Sequence, residues 1–162
     1  ITIELPRDWA PRGVDRFYNL ARAGYFDDSR FYRVVYGFVA QFGVNWREPH
    51  KAWKEKDFED DPSYYALERG TLAFAKAGPN TNSTQVFINY RENNRLADPS
   101  FNFTAFGEVV TGMDVVDKFV RVGDPNRGLD QDRLWQDGGA YLDSLAEKPT
   151  MIQHAEVVGA AK

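Results

Sequence analysis

Two polar side chains interrupt a segment of aromatic and β-branched residues, and they are the first candidates for chemistry. Arg33 lies within "FYRVV" and Gln41 within "FVAQF". An arginine is a charged donor of several hydrogen bonds, and a glutamine both donates and accepts them. Such a pair can stabilise a developing charge or hold a polar backbone without transferring a proton. Taken singly, each residue has a plainer interpretation. Arg33 would be an ordinary surface arginine, and Gln41 would be a polar side chain whose hydrogen bonds are satisfied at a strand end.

The other reactive residue types form no familiar catalytic or metal-binding pattern. The chain has no cysteine, its two histidines, His50 and His154, lack metal-site spacing, and nucleophile-elbow, dinucleotide and P-loop motifs do not occur. "DPNRGLDQD" at 124–132 alternates like a calcium loop, but Trp135 stands where an EF-hand needs its glutamate, which favours an ordinary acidic loop. The run "FEDD" at 58–61 is interpreted as a solvated charge run. We therefore expect no metal and no cofactor.

Length and composition favour a single domain over residues 1–162 with one sizeable core, because the chain is 43% hydrophobic and 15% aromatic. The net charge of −4 is spread along the sequence without a basic patch, so nucleic acid is not an expected partner. No apolar run approaches the roughly 20 residues of a membrane-spanning helix, so no membrane span is expected.

The elements that must position Arg33 and Gln41 are mostly short strands. Gly37 divides the aromatic segment 30–43 into two strands or one bent strand, and helical spacing of apolar residues predicts helices at 11–23 and 112–120. Residues 44–69 and 123–150 are expected to be long loops. Further strands are predicted at 1–5, 70–75, 85–90, 103–110 and 151–158. Several short strands without a βαβ rhythm predict a mainly β fold with a closed sheet.

Read together, "FYRVVYGFVAQFG", "AFAKAGPNTNSTQVFI" and "FTAFGEVVTGMDVVDKF" resemble the cyclophilin family of peptidyl-prolyl cis-trans isomerases, in the family's order and spacing. The resemblance implies a closed antiparallel eight-stranded barrel capped by two helices. The family's usual first strand would lie upstream of Ile1. Since the chain also begins without methionine, we expect a missing N-terminal segment, through a removed signal peptide or a trimmed sequence.

The resemblance also implies roles for individual residues. Arg33 matches the catalytic arginine, Gln41 a ligand of the substrate backbone, and 75–77 the segment that pairs with that backbone. Gln85 matches the glutamine after the glycine-rich loop. The full set of substrate-binding positions is Phe38, Val39, Gln41, Ala75, Lys76, Ala77, Gln85, Phe87, Leu96 and Phe103, of which the five apolar residues Phe38, Val39, Phe87, Leu96 and Phe103 form the proline pocket.

Four positions depart from the commonest pattern of the family. Tyr32 replaces a histidine, Lys76 an asparagine, Arg95 a tryptophan and Phe103 a histidine. The last two are similar to bacterial members and imply weak cyclosporin binding. All four departures together leave open a second function, that of a catalytically weak chaperone or scaffold module that binds proline peptides.

The expected partners are proline-containing peptides and unfolded proteins, whose folding the isomerase would assist. The missing start, the absent cysteine and the bacterial-like pocket favour a periplasmic or otherwise extracytoplasmic location over the cytoplasm.

Overall fold

A single antiparallel sheet of six strands, in the order β1-β6-β4-β5-β3-β2, forms the centre of the molecule. The structure is a computed structural model that describes residues 1–159. The strands are β1 Thr2–Glu4, β2 Arg33–Val35, β3 Val39–Phe42, β4 Thr71–Phe74, β5 Val86–Asn89 and β6 Ala105–Thr111. The helices are α1 Pro11–Arg22, α2 Met113–Val116 and α3 Gln131–Ser144, with 3₁₀ helices at His50–Glu55 and Asn94–Ala97.

The three central strands β3, β4 and β5 are buried along their whole length, which explains their nearly continuous apolar sequences. Side chains alternate between the two faces of a strand, so Ala40 and Phe42 point to one side and Val39 and Gln41 to the other. The first face packs with α1 in the largest hydrophobic cluster of the protein. The second face carries Val39 into a smaller cluster with Phe87.

The aromatic segment 30–43 forms a hairpin of two strands, which is the first of the two predicted alternatives. β2 and β3 pair with Arg33 opposite Gln41, and the Phe38 N–H donates to the Val35 carbonyl across the turn at 2.9 Å. Gly37 lies in that turn at φ +71°, a conformation that favours glycine. The predicted division at Gly37 is confirmed.

The prediction of eight strands in a closed barrel is met only in part. Residues 1–159 contain six named strands, and no hydrogen-bonded ladder joins the edge strands β1 and β2. The prediction of a strand at 151–158 was wrong, because the only β-bridge of this segment within the described chain is an isolated one between Met151 and Arg30. The Phe31 N–H donates to the Thr150 carbonyl there, and beyond residue 152 the backbone is irregular.

The helix predicted at 11–23 is confirmed, whereas α2 is shorter than the predicted 112–120. The prediction of a long loop at 123–150 was wrong, because this segment contains α3. Two features hid this helix: a kink at Asp137 and the glycines that follow it. A Cβ atom on Gly138 would lie 2.2 Å from the Trp46 ring, so this glycine lets α3 pack directly on Trp46.

The segment 44–69 has little regular structure, as predicted, but its acidic run is not simply solvated. Asp61 is 5% exposed. Its carboxylate accepts hydrogen bonds from the backbone N–H groups of Gly13 at 2.9 Å and Arg12 at 3.2 Å. Ala10, at the N-cap position of α1, provides no side-chain cap, so Asp61 supplies one, although it lies 48 residues along the chain from Gly13. No helix among the described residues is both long enough and apolar enough to cross a membrane.

Candidate active site

One row of residues crosses the second face of the sheet and places Arg33 beside apolar side chains. The strand register aligns Arg33 with Gln41, Gln41 with Phe87, and Phe87 with Ala73. Because residues opposite each other in antiparallel strands point to the same face, the row runs from a cation through an amide to a phenyl ring. The pairing of β2, β3 and β5 therefore assembles the polar and apolar halves of the site.

The guanidinium of Arg33 is held by two acceptors. Nε donates to the carbonyl oxygen of Asn126 at 2.8 Å, and Nη1 donates to Oε1 of Gln41 at 3.1 Å. Its Cζ atom lies 5.9 Å from the centre of the Phe38 ring. Among the described residues, Nη2 has no hydrogen-bond partner. One edge of the guanidinium is thus fixed, while one donor nitrogen stays available to a bound molecule.

Two glutamines and a tyrosine form a polar cluster behind Arg33. Gln41, which is 6% exposed, donates from Nε2 to Oε1 of Gln85 at 3.3 Å. The Tyr32 hydroxyl donates to the same oxygen atom. Burial raises the pKa of Tyr32 well above its usual range, against a smaller opposing effect of the neighbouring Arg33 charge, so the hydroxyl stays neutral and remains a donor. Tyr32 therefore orients Gln85, and through it Gln41.

Apolar and polar residues together line a groove beside this cluster, which we call the Arg33 groove. Its volume is about 780 Å³. Phe87 and Phe103 meet edge to face, with ring centroids 5.6 Å apart. The 3₁₀ helix Asn94–Ala97 brings in Leu96, whose carbonyl accepts a hydrogen bond from the Phe103 N–H at 3.0 Å. These three side chains form an apolar part of the groove wall that could take a small apolar ring.

Lys76 lines the Arg33 groove, but its charge is already paired. The side chain is only 4% exposed, and Nζ lies 3.0 Å from Oδ2 of Asp60 and donates to the Asn102 carbonyl at 2.9 Å. Burial raises the pKa of Asp60, but hydrogen bonds from Lys76, Asn82 and Asn80 outweigh that effect and hold it below its usual range. The ion pair joins the groove wall to segment 44–69.

Nine of the eleven residues predicted for the site line the Arg33 groove: Arg33, Phe38, Val39, Gln41, Ala75, Lys76, Phe87, Leu96 and Phe103. Gln85 lies behind Gln41 and is outside the lining. Ala77 is also outside it, in an exposed turn where its N–H donates to the Thr81 hydroxyl at 3.0 Å. The roles of these residues toward a substrate stay predictions.

The opposite wall of the Arg33 groove was missed by the sequence analysis. It is formed by Asn126, Arg127, Leu129, Asp130, Gln131 and Asp132, all within the segment read as an ordinary loop. A signal was present, because Asp130 is a favourable N-cap residue and the apolar Leu134, Trp135 and Leu142 follow it at helical spacing. In the structure Asp130 Oδ1 accepts from the Arg133 N–H at 3.0 Å and caps α3.

A statistical description of the family "Cyclophilin type peptidyl-prolyl cis-trans isomerase/CLD" matches residues 1–136. The chain is similar to peptidyl-prolyl cis-trans isomerase B of Escherichia coli strain K12, with 36% identity over 141 residues that cover 82% of this chain and 85% of that one. It is 33% identical over 132 residues to peptidyl-prolyl cis-trans isomerase-like 2 of Cryptococcus neoformans, covering 75% of this chain. It spans only 22% of the length of that relative.

Among solved structures, the fold is similar to that of a cyclophilin-type peptidyl-prolyl cis-trans isomerase from Cryptosporidium parvum, crystallised in the presence of the dipeptide Ala-Pro. The TM-score is 0.62, the identity is 23%, and the match covers 79% of this chain and 84% of that one. At this identity the likeness supports the fold.

Proposed function

Since this chain belongs to the family of cyclophilin-type peptidyl-prolyl cis-trans isomerases, we propose that the Arg33 groove is where it rotates Xaa-Pro peptide bonds. One observation carries this assignment: Arg33, whose Nη2 has no hydrogen-bond partner in the described part of the chain, lines the same groove as the aromatic rings of Phe87 and Phe103. Arg33 is the catalytic residue of this proposal, and the predicted substrate-binding residues lie around it.

The reaction needs no bond to be broken, because the obstacle is resonance in the peptide bond. The barrier to rotation is about 18–20 kcal/mol. In the twisted state the prolyl nitrogen loses its double-bond character, becomes pyramidal and can accept a hydrogen bond. A donor that reaches this nitrogen, or holds the neighbouring carbonyl, stabilises the twisted state more than the planar ground state. An acceleration of about 10⁵ requires about 7 kcal/mol of such differential stabilisation.

The residues of the Arg33 groove divide this task. The rings of Phe87 and Phe103 would seat the proline ring, with Leu96 beside them. Nη2 of Arg33 would face the prolyl nitrogen or carbonyl, since Nε and Nη1 are already bonded. Gln41 would orient the substrate backbone, itself held by Gln85. A charged donor fixed in advance in a partly buried groove does not have to reorganise during rotation, which is why it can lower the barrier.

The test compares wild type with Arg33→Ala in an NMR exchange assay on a short Xaa-Pro peptide, with circular dichroism to check folding. We expect turnover to fall by about 10²–10³-fold, the usual cost of removing one donor to a transition state, while the fold is kept. Arg121→Ala is the matched control, because Arg121 stacks on the exposed Tyr36 outside the groove, 5.0 Å from its ring centre. Near-normal turnover of Arg33→Ala would refute the mechanism. A wild type that binds the peptide without accelerating exchange would support the binding module instead.

We further propose that proline-containing peptides and unfolded proteins are the substrates, that this serves their folding, and that residues 1–162 act as one isomerase domain. Weak cyclosporin binding is proposed from the exposed Arg95, which stands at a tryptophan position of the resemblance. Closure into an eight-stranded barrel is also proposed. The strand-like pairing of Phe31 with Thr150 supports it, as does the bond from the Ile152 N–H to the Ser29 carbonyl.

A further inference from the structure

The orientation of Arg33 depends on a segment far away in the sequence. Nε donates to the Asn126 carbonyl, 93 residues further along the chain. This carbonyl belongs to residues 123–129, which we call the 123–129 loop. We propose that the 123–129 loop is a positioning device for the catalytic arginine and that Asp124 is its key positioning residue. The inference rests on the proposed function of the Arg33 groove.

Asp124 organises the 123–129 loop from within. Its backbone exchanges two hydrogen bonds with Gly128, at 3.0 Å and 2.8 Å, which closes the loop like a short hairpin. Its side-chain Oδ1 accepts from the N–H groups of Asn126 at 2.8 Å and Arg127 at 2.9 Å. These bonds lower the pKa of the Asp124 carboxyl, so the group is ionised at neutral pH. An ionised acceptor under two consecutive N–H groups fixes the peptide that presents the Asn126 carbonyl.

The 123–129 loop is also seated directly against the strand that carries the arginine. The Leu129 N–H donates to the Tyr32 carbonyl at 2.8 Å, and the Leu129 side chain is 3% exposed in a cluster with Tyr32. Gly128, at φ +72°, approaches so closely that a Cβ atom there would lie 2.2 Å from the Tyr32 carbonyl oxygen and 2.7 Å from the Arg33 Cα. No larger residue fits without displacing the loop.

This arrangement limits how the arginine can move. An arginine side chain has several rotatable bonds, and one bond to Gln41 leaves the guanidinium free to pivot about Nη1. The second bond, from Nε to the Asn126 carbonyl, removes that freedom and leaves Nη2 as the nitrogen without a partner among the described residues, in a side chain that lines the groove. Asp124 acts through this carbonyl and does not itself line the groove. Its loss should therefore weaken catalysis more than the binding of ground-state peptide.

The first experiment compares Asp124→Ala with Asp124→Asn. Asparagine keeps a side-chain oxygen that accepts in the same turn, whereas alanine does not. We expect Asp124→Ala to lower kcat by about tenfold, since misplacement of a catalytic group by about 1 Å can cost up to about 10²-fold. We expect Asp124→Asn to keep most of the wild-type kcat. In both variants the peptide Kd, measured by NMR titration, should change less than about twofold. Asp27→Ala is the control, because Asp27 is another aspartate that accepts a backbone N–H, from Ala155 at 2.9 Å, but lies outside the groove.

The second experiment is a measurement on the wild type, so it does not depend on the folding of any variant. A scalar coupling across the hydrogen bond between Arg33 Nε and the Asn126 carbonyl carbon, with slow exchange of the Arg33 Nε–H proton, is expected. Absence of the coupling, wild-type kcat in Asp124→Ala, or equal losses of kcat and affinity would each overturn the inference. If wild type is active and Arg33→Ala is not, any of these three outcomes refutes only the positioning role of Asp124 and leaves the proposed function intact. If wild type does not accelerate exchange, the proposed function fails, and the coupling still tests the contact.

Discussion

Replacing Lys76 with methionine removes the charge that the groove wall holds against Asp60. The substitution keeps a long apolar stem of similar length, so the groove keeps most of its packing. Asp60 would then be a carboxylate with a side chain that is 15% exposed and, among residues 1–159, no cation paired with it. It would keep the hydrogen bonds from Asn82 Nδ2 at 2.7 Å and from the Asn80 N–H at 3.2 Å. Lys76→Met therefore tests how far the ion pair stabilises the site.

The expected cost follows from the burial of the two partners. Removing one partner of a buried ion pair destabilises by about 3–5 kcal/mol. The two hydrogen bonds left to Asp60 favour the lower end, about 3 kcal/mol, which for a chain of this size corresponds to a fall in Tm of about 6–12 °C. Asp60→Asn should cost slightly more, because it removes the negative charge beside the ammonium, which is 4% exposed, and turns one acceptor into an NH2 group that faces either Lys76 Nζ or Asn82 Nδ2. The double variant should be more stable than the sum of the two losses predicts.

The assay is urea unfolding of wild type, both single variants and the double variant, at several pH values. The folded-state pKa of Asp60 lies below its unfolded value, so its stabilising contribution is complete above about pH 4, the usual range of an unfolded aspartate. It is lost as the pH falls further, through the folded-state pKa. The gap between wild type and Asp60→Asn should therefore narrow at pH 3. Single-variant losses below about 1 kcal/mol, or strictly additive losses, would refute the reasoning, because they would place the pair in the class of weak surface pairs.

Two further predictions concern the pocket and the first helix. Phe87→Ala should weaken binding of an Xaa-Pro peptide by removing the ring that meets Phe103 edge to face, and should cost about 3–5 kcal/mol of stability because Phe87 is 4% exposed. A peptide titration with unchanged Kd would contradict its placement in the pocket. Asp61→Ala should cost about 2 kcal/mol by uncapping α1, whose Arg12 and Gly13 N–H groups lose their acceptor. An unfolding midpoint equal to that of wild type would show that water replaces the carboxylate at no cost.

The sequence indicated the strands of the site well, for a physical reason. Short strands with β-branched and aromatic residues carry their own signal, and Gly37 marked the turn of the hairpin. Once β2 and β3 pair across that turn, Arg33 and Gln41 are cross-strand neighbours. The strand signals account for this placement, but the groove residues themselves were identified through the resemblance to the cyclophilin family.

The second wall of the groove depends on long-range contacts that leave little local signal. α3 is interrupted at Asp137, and its Gly138 is explained only by the Trp46 ring packed against it. Asp61 was read as solvated because its partners lie in α1, 48 residues away in the case of Gly13. The ion pair between Lys76 and Asp60 was missed for the same reason, since the sequence around the acidic run does not indicate which cation pairs with it. Such contacts are decided by the tertiary fold.

The hydrogen bond between Arg33 and the Asn126 carbonyl also indicates when the site can form during synthesis of the chain. The hairpin that carries Arg33 leaves the ribosome early, but its second acceptor emerges 93 residues later. A nascent chain arrested before residue 126 would hold the arginine by Gln41 alone. Loop closure over such a separation is entropically costly, so the contact is expected to form late in folding. The guanidinium of Arg33 would then reach its final orientation only after residue 126 has joined the fold.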